Sequence, residues 1–80
     1  PPDRALAEDL RKLRARLAAD HGVPPYVIFH DRTLVELAIF KPGRKPALLD
    51  ITGLGERKVE RYGDAILAAI GPHLTSGRHG

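Results

Sequence analysis

The chain contains no cysteine, no methionine and no tryptophan, and only four aromatic residues: Tyr26, Phe29, Phe40 and Tyr62. Without cysteine there is neither a disulfide framework nor a thiolate metal site, which fits a reducing compartment. No apolar run approaches the roughly 20 residues needed to span a bilayer. No secretory signal pattern is visible, and the first residue is Pro1 rather than Met, so a piece of a longer protein is expected. The glycine-rich phosphate loop that ends in Lys-Ser or Lys-Thr is missing, which excludes nucleotide binding of that kind. His21, His30, His73 and His79 lack close ligand spacing, and His30-Asp31 has no evident nucleophile to serve. Neither a metal centre nor a catalytic site is expected, and no cofactor.

What is present suits one small globular domain. The 80 residues are 42% hydrophobic and 29% charged, with a net charge of +3. Leu6, Leu10, Leu13 and Leu17 recur at helical spacing and predict a first helix from Asp3 to about Asp20. Asp3 is its N-cap candidate and Gly22 its terminator, with Pro24-Pro25 forbidding continuation. The proline-led segment Pro24–Phe29 reads as extended, with Val27 and Phe29 facing one way and Tyr26 and Ile28 the other. Asp31 is expected to cap a second helix ending near Phe40, with Thr33 and Glu36 as a competing capping box. A short third helix is expected over Pro46–Asp50. A fourth runs from about Gly55 to Tyr62, and Gly63 separates it from a fifth, Asp64 to about His73. Residues 75–80 read as a frayed tail, leaving a core of about 3–74. The expected core comprises Leu6, Leu10, Leu13, Leu17, Phe29, Leu34, Leu37, Leu49, Leu54, Val59, Tyr62, Ile66 and Ile70.

The most distinctive stretch is Ile51-Thr52-Gly53-Leu54-Gly55-Glu56-Arg57-Lys58-Val59, closed by Tyr62-Gly63. Glycine accepts positive φ, so a sharp turn fits before a helix. A helix N-terminus leaves amide groups open to an anion, which makes Gly53 and Gly55 candidate phosphate-binding positions. The same glycines also serve if two backbones simply pack closely. Charge is unevenly spread. Between Arg32 and Pro46 four bases face one acid, whereas between Asp50 and Asp64 three bases face four acids. Positive charge therefore gathers at Lys41, Arg44 and Lys45 and along the first helix at Arg11 and Arg14. These five suit phosphate contact, with plain solvation as the other reading. Lys58 is a further candidate, though it and Arg61 also suit surface ion pairs. Tyr26 sits where a ring can be displayed at low entropic cost for base stacking; the other reading tucks it into the bundle. Phe29 and Tyr62 read as core.

Four segments then carry a resemblance in their order along the chain: Leu10-Arg11-Lys12-Leu13-Arg14, Val23-Pro24-Pro25-Tyr26-Val27-Ile28-Phe29, Asp31-Arg32-Thr33-Leu34 and Gly53-Leu54-Gly55 through Tyr62-Gly63. Together they resemble an HRDC domain, the helicase-and-RNase-D C-terminal module, of the kind found in bacterial RecQ-type DNA helicases. The likeness runs from about Ala5 to His73. It implies an all-α, compact five-helix bundle with a short extended segment after the first helix. It also implies an accessory role without catalysis, on single-stranded or branched DNA, beside the core of an ATP-dependent helicase in the bacterial cytoplasm at the nucleoid. Carried over by position, the strand-contacting surface centres on Tyr26 and nearby bases. One departure is the stretch Lys41-Pro42-Gly43-Arg44-Lys45-Pro46-Ala47, which lacks the Ser or Thr that caps the third helix in many members. A docking module that contacts its parent or a partner without gripping DNA is the alternative.

Overall fold

A computed structural model describes residues 1–74. Five helices follow one another: α1 (Arg4–His21), α2 (Pro25–Ile28), α3 (Asp31–Phe40), α4 (Lys45–Leu48) and α5 (Glu56–Leu74). The tail expected over 75–80 lies outside the described residues. The all-α reading holds, and the helix count agrees, but by a different division of the chain.

α1 forms as its sequence dictates. The Asp3 side chain accepts a hydrogen bond from the Leu6 N–H at 3.0 Å, which satisfies one of the orphan donors of the first turn. Gly22 closes the helix at φ 64°, a left-handed cap whose N–H reaches the Ala18 and Ala19 carbonyls. α1 is the central strut, packed against α2, α3 and α5, while α4 packs on α5. Both long neighbours run antiparallel to it. The N–H of Asp3, at the start of α1, donates to the Ala38 carbonyl near the end of α3. At the other end of α1 the His21 ring meets Tyr62 of α5 edge-on at 5.7 Å.

Three local expectations are corrected. The segment after α1 is extended at Pro24 (ψ 150°) and at Phe29 (φ −163°), but Pro25–Ile28 coils into one helical turn between them. Pro25 stands at the start of that turn, where its missing N–H is no loss. Helical periodicity replaces alternation, so Ile28 and Phe29 are both buried while Tyr26 and Val27 are both exposed. Secondly, the N-cap of α3 is His30, without a side-chain bond, and Asp31 is the first helical residue. Asp31 is drawn instead to Arg14, 2.9 Å away. Thirdly, Gly63 does not break the last helix: α5 is one helix of 19 residues. A single interior glycine costs only about 1 kcal/mol relative to alanine. It also lets α4 approach, since a Cβ at Gly63 would meet Val59 Cγ1 at 3.3 Å and Leu48 Cδ1 at 3.5 Å.

The core is close to the expected one, with a shift at α4. That turn begins one residue earlier than expected, at Lys45 rather than Pro46. Neighbouring residues on a helix point about 100° apart. Leu48 therefore enters the core and Leu49 stays 44% exposed. Leu17 is only partly buried, whereas Ile28, Ile51, Ala18 and Ala38 join the buried set. Arg44, at the N-cap of α4, makes no side-chain capping bond, and the helix is only four residues long.

The glycine turn is held by side chains from α3. The Thr33 hydroxyl donates to the Thr52 carbonyl at 2.7 Å, and the Thr52 N–H donates to Glu36 at 2.9 Å. The two residues expected to form a local capping box thus reach across the chain. They pair with both backbone groups of Thr52. Gly53 follows at φ 89°, with its α-carbon so close over Thr33 that an added Cβ would lie 2.5 Å from the hydroxyl oxygen. Around Gly55 the space is open.

Two stability measurements check this fold. Leu13→Ala or Ile66→Ala should cost roughly 2–5 kcal/mol, a large share of a small domain's stability, in denaturant melts. Gly53→Ala should destabilise by more than 1 kcal/mol through φ strain and the Thr33 clash, while Gly55→Ala leaves the thermal midpoint nearly unmoved. Equal midpoints for the two glycine variants would refute the assignment of the turn to Gly53.

Candidate nucleic-acid interface

The residues singled out for DNA contact do not form one cluster. Tyr26 follows the C-terminus of α1. Lys41 is ion-paired, Nζ to Oδ2 at 2.9 Å, with Asp3 at the N-terminus. The 18 residues of α1 span about 27 Å at 1.5 Å per residue. Tyr26 and Lys41 therefore do not converge on one point.

At the first end, Tyr26 is 60% exposed. Its ring lies nearly parallel to that of His30, with an interplanar angle of 26° and centroids 6.1 Å apart. Pro24 and Pro25 fix the approach to this ring, and the buried Ile28 and Phe29 anchor the turn behind it. His30 was not among the sequence candidates. Its spacing of four from Tyr26 would have signalled the pair only if a helical turn, rather than extended chain, had been expected there.

Arg14 has a different task. Its Nη1 donates to the Phe29 carbonyl at 3.1 Å, and its Nη2 pairs with Asp31 at 2.9 Å. The guanidinium also lies 5.7 Å from the centre of the Phe29 ring. With only 13% of its side chain exposed, Arg14 ties α1 to the α2–α3 junction rather than standing open to solvent. Arg11 is exposed and loosely paired with Glu8 at 3.4 Å. Arg32, at the start of α3, pairs with Glu36 at 3.3 Å.

At the other end, Lys41 closes α3 in the left-handed conformation, φ 47°. Lys45 pairs with Asp64 of α5 at 3.1 Å. Arg44 is exposed and has no ion-pair partner among the described residues. Lys58 and Arg61, read also as ion-pair formers, make none among the described residues. Gly53 and Gly55 form a turn before α5, but its surroundings are poor for an anion. The Thr52 N–H is taken by the Glu36 carboxylate, the Leu54 N–H by the Ile51 carbonyl, and Glu56 occupies the first turn of the helix. These negative groups oppose a phosphate where the helix dipole would attract one.

The carboxylates of Asp3 and Glu36 are both held below their ordinary range. For Asp3 the leading cause is the hydrogen bond from the Leu6 backbone N–H, with Lys41 beside it. For Glu36 it is the Thr52 backbone N–H, with Arg32 adding a smaller effect.

The comparisons with known proteins bear on this geometry. A family model of the HRDC domain matches residues 3–70. The chain belongs to the HRDC family. The HRDC chain is 45% identical over 65 residues to the ATP-dependent DNA helicase RecQ of Bacillus subtilis, covering 81% of this chain and 11% of that protein. It is 39% identical over 71 residues to the ATP-dependent DNA helicase RecQ of Haemophilus influenzae, covering 89% of this chain and 12% of that one. Among solved structures it is similar to HRDC domain 3 of D. radiodurans RecQ. That match has a TM-score of 0.82 and 40% identity, and covers 86% of this chain and 91% of the other. The chain spans about a tenth of the length of these two helicases. An HRDC domain is an accessory module and not itself catalytic. Among the described residues no helix is long and apolar enough to cross a membrane.

The depressed Glu36 carboxyl makes acid stability a readout of the clasp on Thr52. A carboxyl whose folded pKa is lowered contributes stability above its unfolded pKa and loses it as pH falls through the folded one. Unfolded Asp and Glu titrate near about 3.9 and 4.3, so the loss should begin near pH 4 and continue below it. Glu36→Gln retains an acceptor for the Thr52 N–H but cannot titrate. Melts between about pH 6 and pH 2 should therefore show a flatter acid limb for Glu36→Gln than for the native chain. Superimposable limbs would show that Glu36 is not held by the turn.

Proposed function

We propose that this HRDC chain is an accessory nucleic-acid-binding module of a RecQ-type DNA helicase. It binds single-stranded or branched DNA weakly and tunes the choice of substrate by its ATP-dependent parent, in the bacterial cytoplasm at the nucleoid. The observation that carries this reading is the exposed Tyr26 ring on its proline-led turn beside His30. A base stacked on such a ring contributes roughly 1–3 kcal/mol and is accepted whatever its identity. Weakness follows from the charges, because Arg14 is engaged within the fold and Lys41 and Lys45 each hold an acid. The relatives' names support the parent's class, and the DNA contact is an inference from this chain's own surface.

A second reading has its own support. Arg11, Arg14, Arg32, Lys41 and Lys45 each already hold an acid. Such a surface suits a module that docks on the helicase core or a partner without strong DNA affinity.

Fluorescence anisotropy of a labelled dT oligomer over a salt series separates the two readings. Each phosphate neutralised on a single strand contributes about 0.7 to the log–log salt slope, and few cations converge, so the slope should be no steeper than about −3. Tyr26→Ala should weaken binding by roughly 1–3 kcal/mol at unchanged slope, since stacking is lost and no phosphate contact is. Arg44→Ala should make the slope shallower by about 0.7. An absence of binding by the native chain even at low ionic strength would transfer the assignment to docking.

A further inference from the structure

A groove of about 380 Å³ runs between α1 and α5, lined by Asp9, Lys12 and Arg16 on one wall and by Ala65, Ala68 and Pro72 on the other. Lys12 and Arg16 stand one helical turn apart, and both are exposed. Neither makes an ion pair among the described residues. Asp9, the acid on that wall, is held by His73 of α5, with 2.7 Å between Nε2 and Oδ2. The α5 wall continues past Ala65 with positive charge. Arg61 precedes Ala65 by one turn and lies on the line through Ala65, Ala68 and Pro72. Arg57 and Lys58, a further turn back, flank the same line. These three bases also make no ion pair among the described residues. The acids of this half of α5 keep to another flank. Glu56, Glu60 and Asp64 recur every four residues, and Asp64 faces α4, where it pairs with Lys45 at 3.1 Å. On α1, Glu8 turns to Arg11. The shared face of the two helices thus sets five unpaired bases, Lys12, Arg16, Arg57, Lys58 and Arg61, against Asp9 and Asp20.

We infer that this groove is a track for the phosphodiester backbone of single-stranded DNA, in which Lys12, Arg16 and Arg61 each neutralise a phosphate. The inference rests on the single-strand reading above and adds a second surface, which grips charge where Tyr26 stacks a base. Three features select this occupant. First, a base already paired must leave its partner to bind a phosphate, and these bases have none to leave. Secondly, Lys12 and Arg16 are about 6 Å apart along the helix axis, close to the distance between neighbouring phosphates on an extended strand. The alanines opposite leave room for a sugar chain between the helices. Thirdly, protein interfaces centre on buried aromatic or apolar anchors. None of the exposed large apolar side chains among the described residues lines this groove. Phosphate contact needs cations and no such anchor. Two copies of the chain meeting through this face would oppose like charges and repel. The track also leads towards the stacking ring. Tyr62, next to Arg61, touches His21 at the C-terminal end of α1, the end from which the Tyr26 turn departs.

An abasic oligomer separates the two surfaces, because it carries phosphates and no base to stack. The native chain should bind it more weakly than a dT oligomer of equal length, with a log–log salt slope near about −2 from three phosphates. Tyr26→Ala should leave abasic binding unchanged. Lys12→Gln, Arg16→Gln and Arg61→Gln should each make the slope shallower by about 0.7, and the triple variant should abolish abasic binding. Ala68→Glu sets a carboxylate in the groove on an exposed helical position and should weaken the abasic strand several-fold. Arg4→Gln removes an unpaired base from another face of α1 and should change nothing. A triple variant that binds like the native chain, or losses equalled by Arg4→Gln, overturns the inference. So does a glutamate peptide of matched charge that competes as well as the abasic strand, which would give the groove to an acidic protein segment. If the dT oligomer binds through Tyr26 and the abasic strand does not bind, only the track falls. If neither strand binds at low ionic strength, the single-strand reading falls and the track with it.

Discussion

The clasp on Thr52 organises much of the bundle. Its carbonyl and its N–H are taken by Thr33 and Glu36, two side chains of α3 separated by one turn of helix. Once both bonds are made, the chain passes so close to Thr33 that only a residue without a Cβ fits next, and Gly53 must turn with positive φ. That turn aims α5, whose 19 residues then run back along α1. The Tyr62 edge contact with His21 and the 2.7 Å bond between His73 and Asp9 mark the two ends of this antiparallel packing. Hydrogen bonds of this kind fix geometry more than they add net stability, because each replaces one made to water.

Much of the positive charge serves the same architectural purpose. Arg14 joins α1 to the α2–α3 junction by two polar contacts and lies near a ring face. Lys41 and His73 converge on Asp3, which also caps α1. The net charge of +3 already counts the acids in these pairs, which fix where the positive charge lies rather than how much of it there is. Beside the charges, the exposed rings are what the surface can offer a partner. Tyr26 and Phe40 end up in different settings: one is stacked beside an imidazole on a rigid turn, the other opens over an apolar cleft.

The legible parts of the sequence were those with short-range causes. Asp3 as cap, Gly22 as terminator, the leucine stripe of α1 and the buried Phe29 and Tyr62 all follow from spacing or from one residue's conformational preference. The places where expectation and structure part have long-range causes. Thr33 and Glu36 satisfy a local capping pattern, but in the fold both side chains bond Thr52, distant in sequence. Asp31 gives up capping for Arg14. Gly63 reads locally as a break, yet α4 lies against it and α5 continues through. The candidate site divided in the same way. The prolines left Tyr26 open between display and burial, and the helical turn of Pro25–Ile28 decided for display; the engagement of Arg14 within the fold was not legible either.

The sequence alone determined the helical class, the ends of α1, the need for glycine before α5 and membership of the HRDC family. Each of these depends on local propensity, periodicity or a motif carried in order along the chain. Tertiary structure decided which cations remain unpaired, which leucine of α4 enters the core, and how the candidate contacts are distributed. Pairing and burial depend on what another segment brings within a few ångströms, and no local pattern encodes that distance. The antiparallel run of α3 along α1 set Lys41 at the Asp3 end of the bundle and Tyr26 at the other.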